Sequence, residues 1–422
     1  MFYSRDRSPE QSNFTYLVID IAWFGLALAA TSRFLSLYAI RLGADSIHMA
    51  LIASLPGIAL LFSTSISGWW RRRFPDSVRA VYLPSIGFRL VFLLPALTPF
   101  FPTEWQPIWL VLSVALPAIP QGIAGTIFLV LMRESVSEGR MNSLLSQRMI
   151  VLNICVAVGT LFFWLLLENL PFPLNYQLMF LIAFCFTMMS LWYVARLRII
   201  FPMPAPETKV KPRELFKSGK IMSIMFATLI THIAFFSVIA ITPVHLVENM
   251  GADETYMMLF GLLELTAGAT ISLFTDRLIK RFGAVEVVAG GMAGTALAAL
   301  VFSTAPNLTI ALIGSFVSGA AWTATAIGLM AMLFNNVPRE QSQSASMMYQ
   351  QVAAIGIFVG PLIGTVVEST LSVLPAVLIF GAGLRLLSAF LTHMSAPEAS
   401  SQGLRLFRSA RLSVGYGRSR GR

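Results

Sequence analysis

Six ionisable side chains lie inside long apolar stretches of this 422-residue sequence. An ionisable group is costly to place in apolar surroundings, so each is a candidate for ligand binding or reversible protonation. Carboxylates and imidazole can take up and release protons, while guanidinium groups can bind anions through several hydrogen bonds. The six residues are Asp20, Arg33, Arg89, His232, Glu264 and Arg385.

The sequence lacks the short motifs that place catalytic or cofactor-binding groups. It contains no P-loop and no GxSxG, HExxH or GxGxxG pattern. Cys155 and Cys185 both lie in apolar stretches, which argues against a disulfide framework or a CxxC metal site. We therefore expect no enzyme activity, no cofactor and no metal, and ATP-driven work would need a partner that supplies the ATPase.

The composition indicates that lipid surrounds most of the chain. Hydrophobic residues make up 56% of the sequence and charged residues 12%, against roughly 25% charged in an ordinary soluble domain. The net charge of +10 would suggest nucleic acid in a soluble protein, but the basic residues lie between apolar stretches. We expect no nucleic-acid partner, and we expect the first apolar stretch to be retained because no cleavage-site pattern precedes it.

Membrane-spanning helices must position these residues, and each helix needs about 20 apolar residues. The pattern predicts twelve spans, numbered in chain order: 15–40, 47–70, 79–101, 106–131, 144–168, 175–196, 220–247, 253–275, 284–304, 308–334, 344–367 and 371–393. The proline-rich connection 197–219 is interpreted as a linker between two six-helix bundles. The predicted fold is all-α, with five segments: N-terminus 1–14, bundle 15–196, linker 197–219, bundle 220–393 and basic tail 394–422.

The distribution of basic residues predicts the orientation. Of the 30 lysines and arginines, all but Arg33, Arg41, Arg89 and Arg385 fall at one face of the predicted bundle. Basic connections face the cytoplasm, so an even number of spans places both termini there. The chain is therefore expected to be a multi-pass protein of the cell (inner or plasma) membrane.

An internal repeat supports the division into two halves. Residues 43–45 (Gly-Ala-Asp) recur at 251–253, an offset of 208, and the same offset aligns 72–74 (RRF) with 280–282 (KRF). Several matches in order at nearly one offset indicate duplication of a six-helix unit.

The sequence resembles the major facilitator superfamily over roughly residues 15–393. That family has a short basic turn between the second and third helices of each half, and 276–283 (DRLIKRFG) is similar to it. At 68–75 (GWWRRRFP) the acidic residue and first arginine are absent. Such a turn can latch two helix bundles through hydrogen bonds to the aspartate, or it can simply set topology; we favour the latch at 276–283 and the simpler role at 68–75. The predicted latch residues are Asp276, Arg277, Lys280, Arg281, Arg72 and Arg73.

Two other family motifs are partial. Residues 118–122 (AIPQG) resemble the fourth-span motif of proton-linked members without its arginine. The glycine ladder typical of the fifth span of exporters occurs in span 11 instead. Small residues four apart allow close helix approach, so we interpret this ladder as helix packing. Its residues are Gly356, Gly360, Pro361 and Gly364.

The resemblance implies a central cavity lined by spans 1, 4, 7 and 10 and bordered by span 8. Each candidate also has a structural interpretation: capping or pairing for Asp20, snorkelling for Arg33 and packing for His232 and Trp322. For Arg89 and Arg385, in the peripheral spans 3 and 12, structural pairing or snorkelling is favoured. The candidates for substrate contact or proton coupling are Asp20, Arg33, Gln121, His232, Glu264, Trp322 and Thr323.

The predicted function is secondary transport of a small molecule by alternating access between two bundles, with protons as a candidate coupling ion. Export is favoured because that role is common in the family. The chain is expected to act as a monomer in the lipid bilayer. An alternative is a transporter-like protein that no longer transports and assists assembly of a membrane complex or pigment delivery.

Overall fold

The computed structural model describes residues 8–202, 218–337 and 342–395. This part of the chain contains twelve helices long and apolar enough to cross a membrane, and no β-strand. The prediction of an all-α protein with twelve spans is confirmed. The helices are α1 (Pro9–Arg41), α2 (Ser46–Arg71), α3 (Ser77–Phe100), α4 (Thr103–Ser135), α5 (Glu138–Asn169), α6 (Leu174–Val194), α7 (Gly219–Asn249), α8 (Glu254–Phe282), α9 (Ala284–Thr304), α10 (Leu308–Asn336), α11 (Ser342–Leu371) and α12 (Leu374–Met394).

Helix α1 begins at Pro9 rather than at the predicted residue 15. Ser8 is its N-cap: the Oγ accepts a hydrogen bond from the Gln11 backbone N–H, and the Gln11 side chain accepts one from the Ser8 backbone N–H. Pro9 occupies the first helical position, where the missing N–H has no helical partner to lose. This capping box is a start signal that hydropathy alone does not detect.

Helices α1 and α7 are irregular at nearly equivalent positions of the repeat. Residues Ala30–Phe34 of α1 form a π-helical turn. In α7, the regular helix Gly219–Phe236 ends in a turn at 237–240, and a π-helical turn follows at His245–Asn249. The repeat offset places the α1 irregularity opposite 238–242, where α7 is interrupted. Such irregular turns are frequent at functional sites.

Both copies of the Gly-Ala-Asp repeat have the same local structure. Gly43 and Gly251 have positive φ angles of 82° and 75°, a conformation that glycine adopts without steric cost. Asp45 and Asp253 each accept a hydrogen bond from the backbone N–H three residues later, at 2.9 and 2.8 Å. In each copy a glycine ends one helix and an aspartate caps the next.

The described residues form two compact units, each with its own apolar core. Leu17, Ile127 and Leu131 belong to a buried cluster in unit 1, whereas Met225 and Leu329 belong to one in unit 2. Unit 1 contains the described residues up to 202, Ile239–Leu262 and Ile357–Val366; unit 2 contains those of 218–238, 263–356 and 367–395. The domain boundaries drawn from the sequence remain a prediction. Most of the linker (203–217) and of the tail (396–422) lies outside the described residues.

Candidate functional site

A buried polar network surrounds Asp20 in unit 1. Its carboxylate accepts a hydrogen bond from Ser190 Oγ at 2.6 Å, and its Oδ2 lies 3.0 Å from Nη1 of Arg148. Arg148 also donates to the carbonyl oxygen of Leu17, one turn earlier in α1. Asp20 is 4% and Arg148 8% exposed. Because water screens so buried a pair poorly, the charge on Asp20 strongly affects how Arg148 is held.

Arg89 extends this network from α3 to α6. It donates to Ser190 Oγ at 2.8 Å, to the Thr187 carbonyl at 2.7 Å and to the Ser85 carbonyl at 3.0 Å. These bonds engage all three nitrogens of the guanidinium, so Arg89 makes the structural pairing favoured from the sequence. The network nevertheless contains two guanidinium groups and one carboxylate, an excess of one positive charge inside the helices.

Arg33 and Gln121 are the other two candidates of unit 1. Arg33 lies in the π-helical turn of α1. Gln121 is half-buried in α4 beside Gly122, where an added Cβ would lie 2.0 Å from Ser63 Oγ. Helices α4 and α2 therefore touch next to Gln121. Among the described residues, no hydrogen bond joins Gln121 to Asp20.

An aromatic cluster forms in unit 2 around His232. The ring of Phe235 stacks on Trp322, with centroids 3.8 Å apart and planes at 14°. Trp322 and Tyr349 each present an edge-to-face arrangement to His232, at 5.5 and 6.4 Å. His232 Nδ1 lies 2.8 Å from the Thr228 carbonyl, so this nitrogen carries the hydrogen. The cluster brings His232 and Trp322 together. Aromatic rings of this kind can bind planar apolar groups by stacking, or cations over the ring face.

Arg385 of α12 stabilises the interruption of α7. It donates to the carbonyls of Phe235 and Ala234 at 2.8 and 3.3 Å, and to the Thr295 carbonyl of α9 at 2.8 Å. Both α7 carbonyls belong to the last turn before the break, where helical partners are missing. A Cβ on Gly381 would lie 2.1 Å from Val238, so α12 rests directly on the break. The three bonds make Arg385 a structural residue that positions the aromatic cluster.

Glu264 and Thr323 lie where α8 approaches α10 closely at two glycines. A Cβ added to Gly319 would lie 2.2 Å from the Glu264 carbonyl oxygen, and one added to Gly268 would lie 2.7 Å from Thr323 Oγ1. Both candidate side chains are half-buried. Thr323 therefore faces α8 at this crossing, and the backbone of Glu264 lies against α10 at Gly319.

The predicted latch residues lie at exposed turns. Asp276 pairs with Lys280, one turn later in α8, at 2.5 Å, and Arg277 and Arg281 are exposed. In the first half Arg72 and Arg73 are exposed, and the guanidinium of Arg73 stacks on Trp69 at 3.6 Å. The latch remains a prediction.

At the first-half turn, Arg71 makes the contacts to neighbouring segments. It donates to Ser77 Oγ at 2.8 Å and lies 3.8 Å from the carboxylate of Glu134. Glu134 is buried at the end of α4, and its Oε2 has no hydrogen-bond partner among the described residues. The sequence analysis treated 68–75 only as a basic turn. Glu134, the acidic residue directly after Arg133, could have been recognised as a partner for one of its arginines.

A second polar cluster in unit 1, not expected from the sequence, involves Glu254 at the start of α8. Its carboxylate accepts hydrogen bonds from Arg41 at 2.5 Å and from the Tyr176 hydroxyl at 3.0 Å. Tyr176 stacks on Tyr38 with centroids 4.5 Å apart. Arg41 is one of the four basic residues that the sequence analysis places outside the basic face, and this ion pair is its structural context.

The glycine ladder of α11 is buried. A Cβ on Gly356 would lie 2.5 Å from the Cβ of His232 and 3.2 Å from the Leu229 carbonyl. Gly360, Pro361 and Gly364 are also buried. The absence of a side chain at Gly356 thus lets α11 lie against α7 at the aromatic cluster.

Both the sequence and the fold are similar to those of known proteins. The family model described as Major Facilitator Superfamily matches residues 14–361 and, in an overlapping match, 224–414. Among solved structures, the chain is similar to a mutant of the nucleoside transporter NupG, with a TM-score of 0.74 and 12% identity over 92% of this chain and 100% of that one. It is also similar to a D-xylose–proton symporter, with a TM-score of 0.70 and 15% identity over 93% and 99% of the two chains.

A third similar structure is a bacterial homologue of the iron transporter ferroportin in an inward-facing state. Its TM-score is 0.65, with 13% identity over 92% of this chain and 99% of that chain. Among curated proteins, none matches the sequence. Likenesses at such low identity concern the fold, whereas the family match spans most of the sequence and both of its halves. This chain therefore belongs to the Major Facilitator Superfamily, as a multi-pass membrane protein built for secondary transport.

Proposed function

We propose that this protein exports a small molecule across the cell membrane by alternating access, coupled to proton movement through Asp20. The observation that carries the proposal is the buried ion pair of Asp20 and Arg148. The carboxylate of Asp20 in α1 lies 3.0 Å from the guanidinium of Arg148 in α5. A proton on Asp20 would remove the charge that holds Arg148. The guanidinium would then need another anion or dipole, which links protonation to rearrangement.

The aromatic cluster of unit 2 is the proposed contact for the apolar part of the substrate. Trp322 and Phe236 are half-buried, whereas His232 and Tyr349 are buried behind them. A planar ring can lie against Trp322 without losing a hydrogen bond. Within unit 1, the excess positive charge around Asp20 supports an anionic substrate. Export is proposed because that role is common in the Major Facilitator Superfamily.

The experiment is transport into proteoliposomes under an imposed pH gradient. Two planar aromatic probes of opposite charge, ethidium and carboxyfluorescein, test the preference for anions, and uptake into right-side-out and inside-out vesicles tests direction. We expect Asp20→Asn to abolish the dependence of transport on the gradient while exchange of probe persists. Glu264→Gln is the comparison, because it changes the other candidate carboxylate of the spans.

Unchanged pH-driven transport in Asp20→Asn, in Glu264→Gln and in the double variant would refute proton coupling at these residues. If a thermal-shift screen finds ligands but none is transported by the wild-type protein in either vesicle orientation, the non-transporting alternative gains support. A role in complex assembly would then be tested by co-purification from native membranes.

A further inference from the structure

A polar cavity of about 430 Å³ lies in unit 1, on the face where the basic connections gather. It is separate from the Asp20 network and from the Glu254 cluster. The side chains offer two guanidinium groups, a phenol and a hydroxyl, and none carries a carboxylate. The lining residues are Pro9, Ser12, Asn13, Tyr16, Arg196 and Arg198.

Asn13 holds the backbone of Arg198 in place. Its Nδ2 donates to the carbonyls of Arg198 and Ser135 at 2.7 and 2.9 Å, and its Oδ1 accepts from the Arg198 N–H at 3.0 Å. Asn13 is 1% exposed. The chain just after α6 is thereby fixed through its backbone, and Arg198 lines the cavity.

The glutamates of neighbouring segments are engaged elsewhere. Glu10 accepts hydrogen bonds from the Ser137 backbone N–H at 3.1 Å and from its hydroxyl at 2.6 Å. The carboxylate of Glu134 lies 3.8 Å from the guanidinium of Arg71 in α2. Among the described residues, no ion pair involves Arg196 or Arg198. The cavity therefore holds two positive charges without a counter-ion from these segments.

Aromatic residues locate the cavity at the membrane surface. The guanidinium of Arg196 stacks on Trp192 at 3.4 Å, and Trp192 is 46% exposed. The rings of Tyr16 and Tyr193 lie 6.0 Å apart beside it. Tryptophan and tyrosine concentrate at the level of the lipid headgroups. The aromatic residues beside the basic cavity therefore favour a position for it at the level of the phospholipid phosphates.

We propose that this cavity binds the headgroup phosphate of an anionic phospholipid in the leaflet it faces. Arg196 and Arg198 would donate to the phosphate oxygens, because the planar guanidinium fork matches that geometry. Tyr16 and Ser12 would donate to the remaining oxygens or to the glycerol of the headgroup. Soluble phosphate esters share this chemistry, but the aromatic rim and the position at the ends of α1 and α6 favour lipid.

The test is a titration of purified full-length protein with phosphatidylglycerol, read by native mass spectrometry. With about 1 kcal/mol per basic residue near the surface, Arg196→Gln with Arg198→Gln should raise the dissociation constant about 30-fold. The matched control is Arg79→Gln with Arg133→Gln, which removes two exposed arginines from the same predicted face. Because neither side chain lines the cavity, the control should change the constant less than about threefold, the part that salt screens. Tyr16→Phe should weaken binding without changing charge.

Three results would overturn the proposal. Equal weakening in both double variants would show that only overall charge matters. Equal binding of phosphatidylcholine and phosphatidylglycerol would exclude a site for anionic lipid. Displacement of the lipid by glycerol 3-phosphate at comparable concentration would assign the cavity to a soluble phosphate instead. Melting temperatures within a few degrees of wild type establish that the variants are folded. If an arginine variant does not fold, the dissociation constant of Tyr16→Phe tests the site instead.

Discussion

Replacing Arg385 by methionine should destabilise the protein at the interruption of α7. The methionine side chain fills part of the same volume but cannot donate hydrogen bonds. The carbonyls of Ala234, Phe235 and Thr295 would then lose this donor inside the helices. Since α7 has no regular helical bonding at 237–240, the last turn before the break would lose its main stabilising partner.

The magnitude follows from the bonds that are lost. Hydrogen bonds to charged groups contribute about 1.5–3 kcal/mol each in soluble proteins, and those between membrane helices average about 0.6 kcal/mol. The guanidinium also lies 5.0 Å from the ring centroid of Phe235, an interaction of about 0.5–2 kcal/mol. Removing a buried charge recovers part of its desolvation cost. We expect the free energy of unfolding to fall by about 3 kcal/mol, mostly from the three bonds.

The assay is reversible unfolding in mixed micelles together with hydrogen exchange over residues 233–244. Arg385→Lys should be intermediate, because it keeps the charge but cannot reach three carbonyls with a planar fork. Leu386→Met, at a side chain that is 50% exposed, is the control for a change in α12. If Arg385→Met unfolds at the same free energy as wild type and exchange at the break is unchanged, the capping role of Arg385 is wrong.

Two further predictions concern helix packing and the outer ion pair. Gly159→Ala should lower the melting temperature, because the added Cβ would lie 2.4 Å from the Leu26 carbonyl oxygen. Gly125→Ala should leave the melting temperature unchanged, because its Cβ would meet nothing within 4 Å. Similar melting temperatures for the two variants would contradict this prediction. Glu254→Gln should cost about 1 kcal/mol, since the Arg41 partner is 36% exposed and partly screened. A double-mutant cycle with Arg41→Gln that shows strict additivity would contradict the pairing.

The twelve helices could be predicted because membrane insertion imposes a length and a composition on each span. The Gly-Ala-Asp repeat could also be recognised from the sequence. Gly43 and Gly251 adopt positive φ angles at the ends of their helices, a local requirement that does not depend on distant residues. The start of α1 at Pro9 was predictable in principle from Ser8 and Gln11, but hydropathy does not respond to polar capping residues.

The candidate site was only partly predictable. Asp20 and His232, selected by their depth in the predicted spans, are both buried, and their roles in substrate contact or coupling remain predictions. Depth alone did not distinguish them from Arg89 and Arg385, for which only the family resemblance, through the peripheral spans 3 and 12, favoured a structural role; both guanidinium groups donate to backbone carbonyl oxygens. Arg148 was counted only among the basic residues of one face, because charge near the end of a span is also what topology alone would require.

Sequence alone determined that the chain crosses a membrane twelve times and which residues carry charge into the apolar layer, because local hydropathy decides both. Only the tertiary structure decided what each charge does. Asp20 meets Arg148 across 128 positions of sequence, and Arg385 meets α7 across 150. Partners so far apart are chosen by the packing of helices, in which a missing Cβ such as that of Gly356 can set which side chains touch.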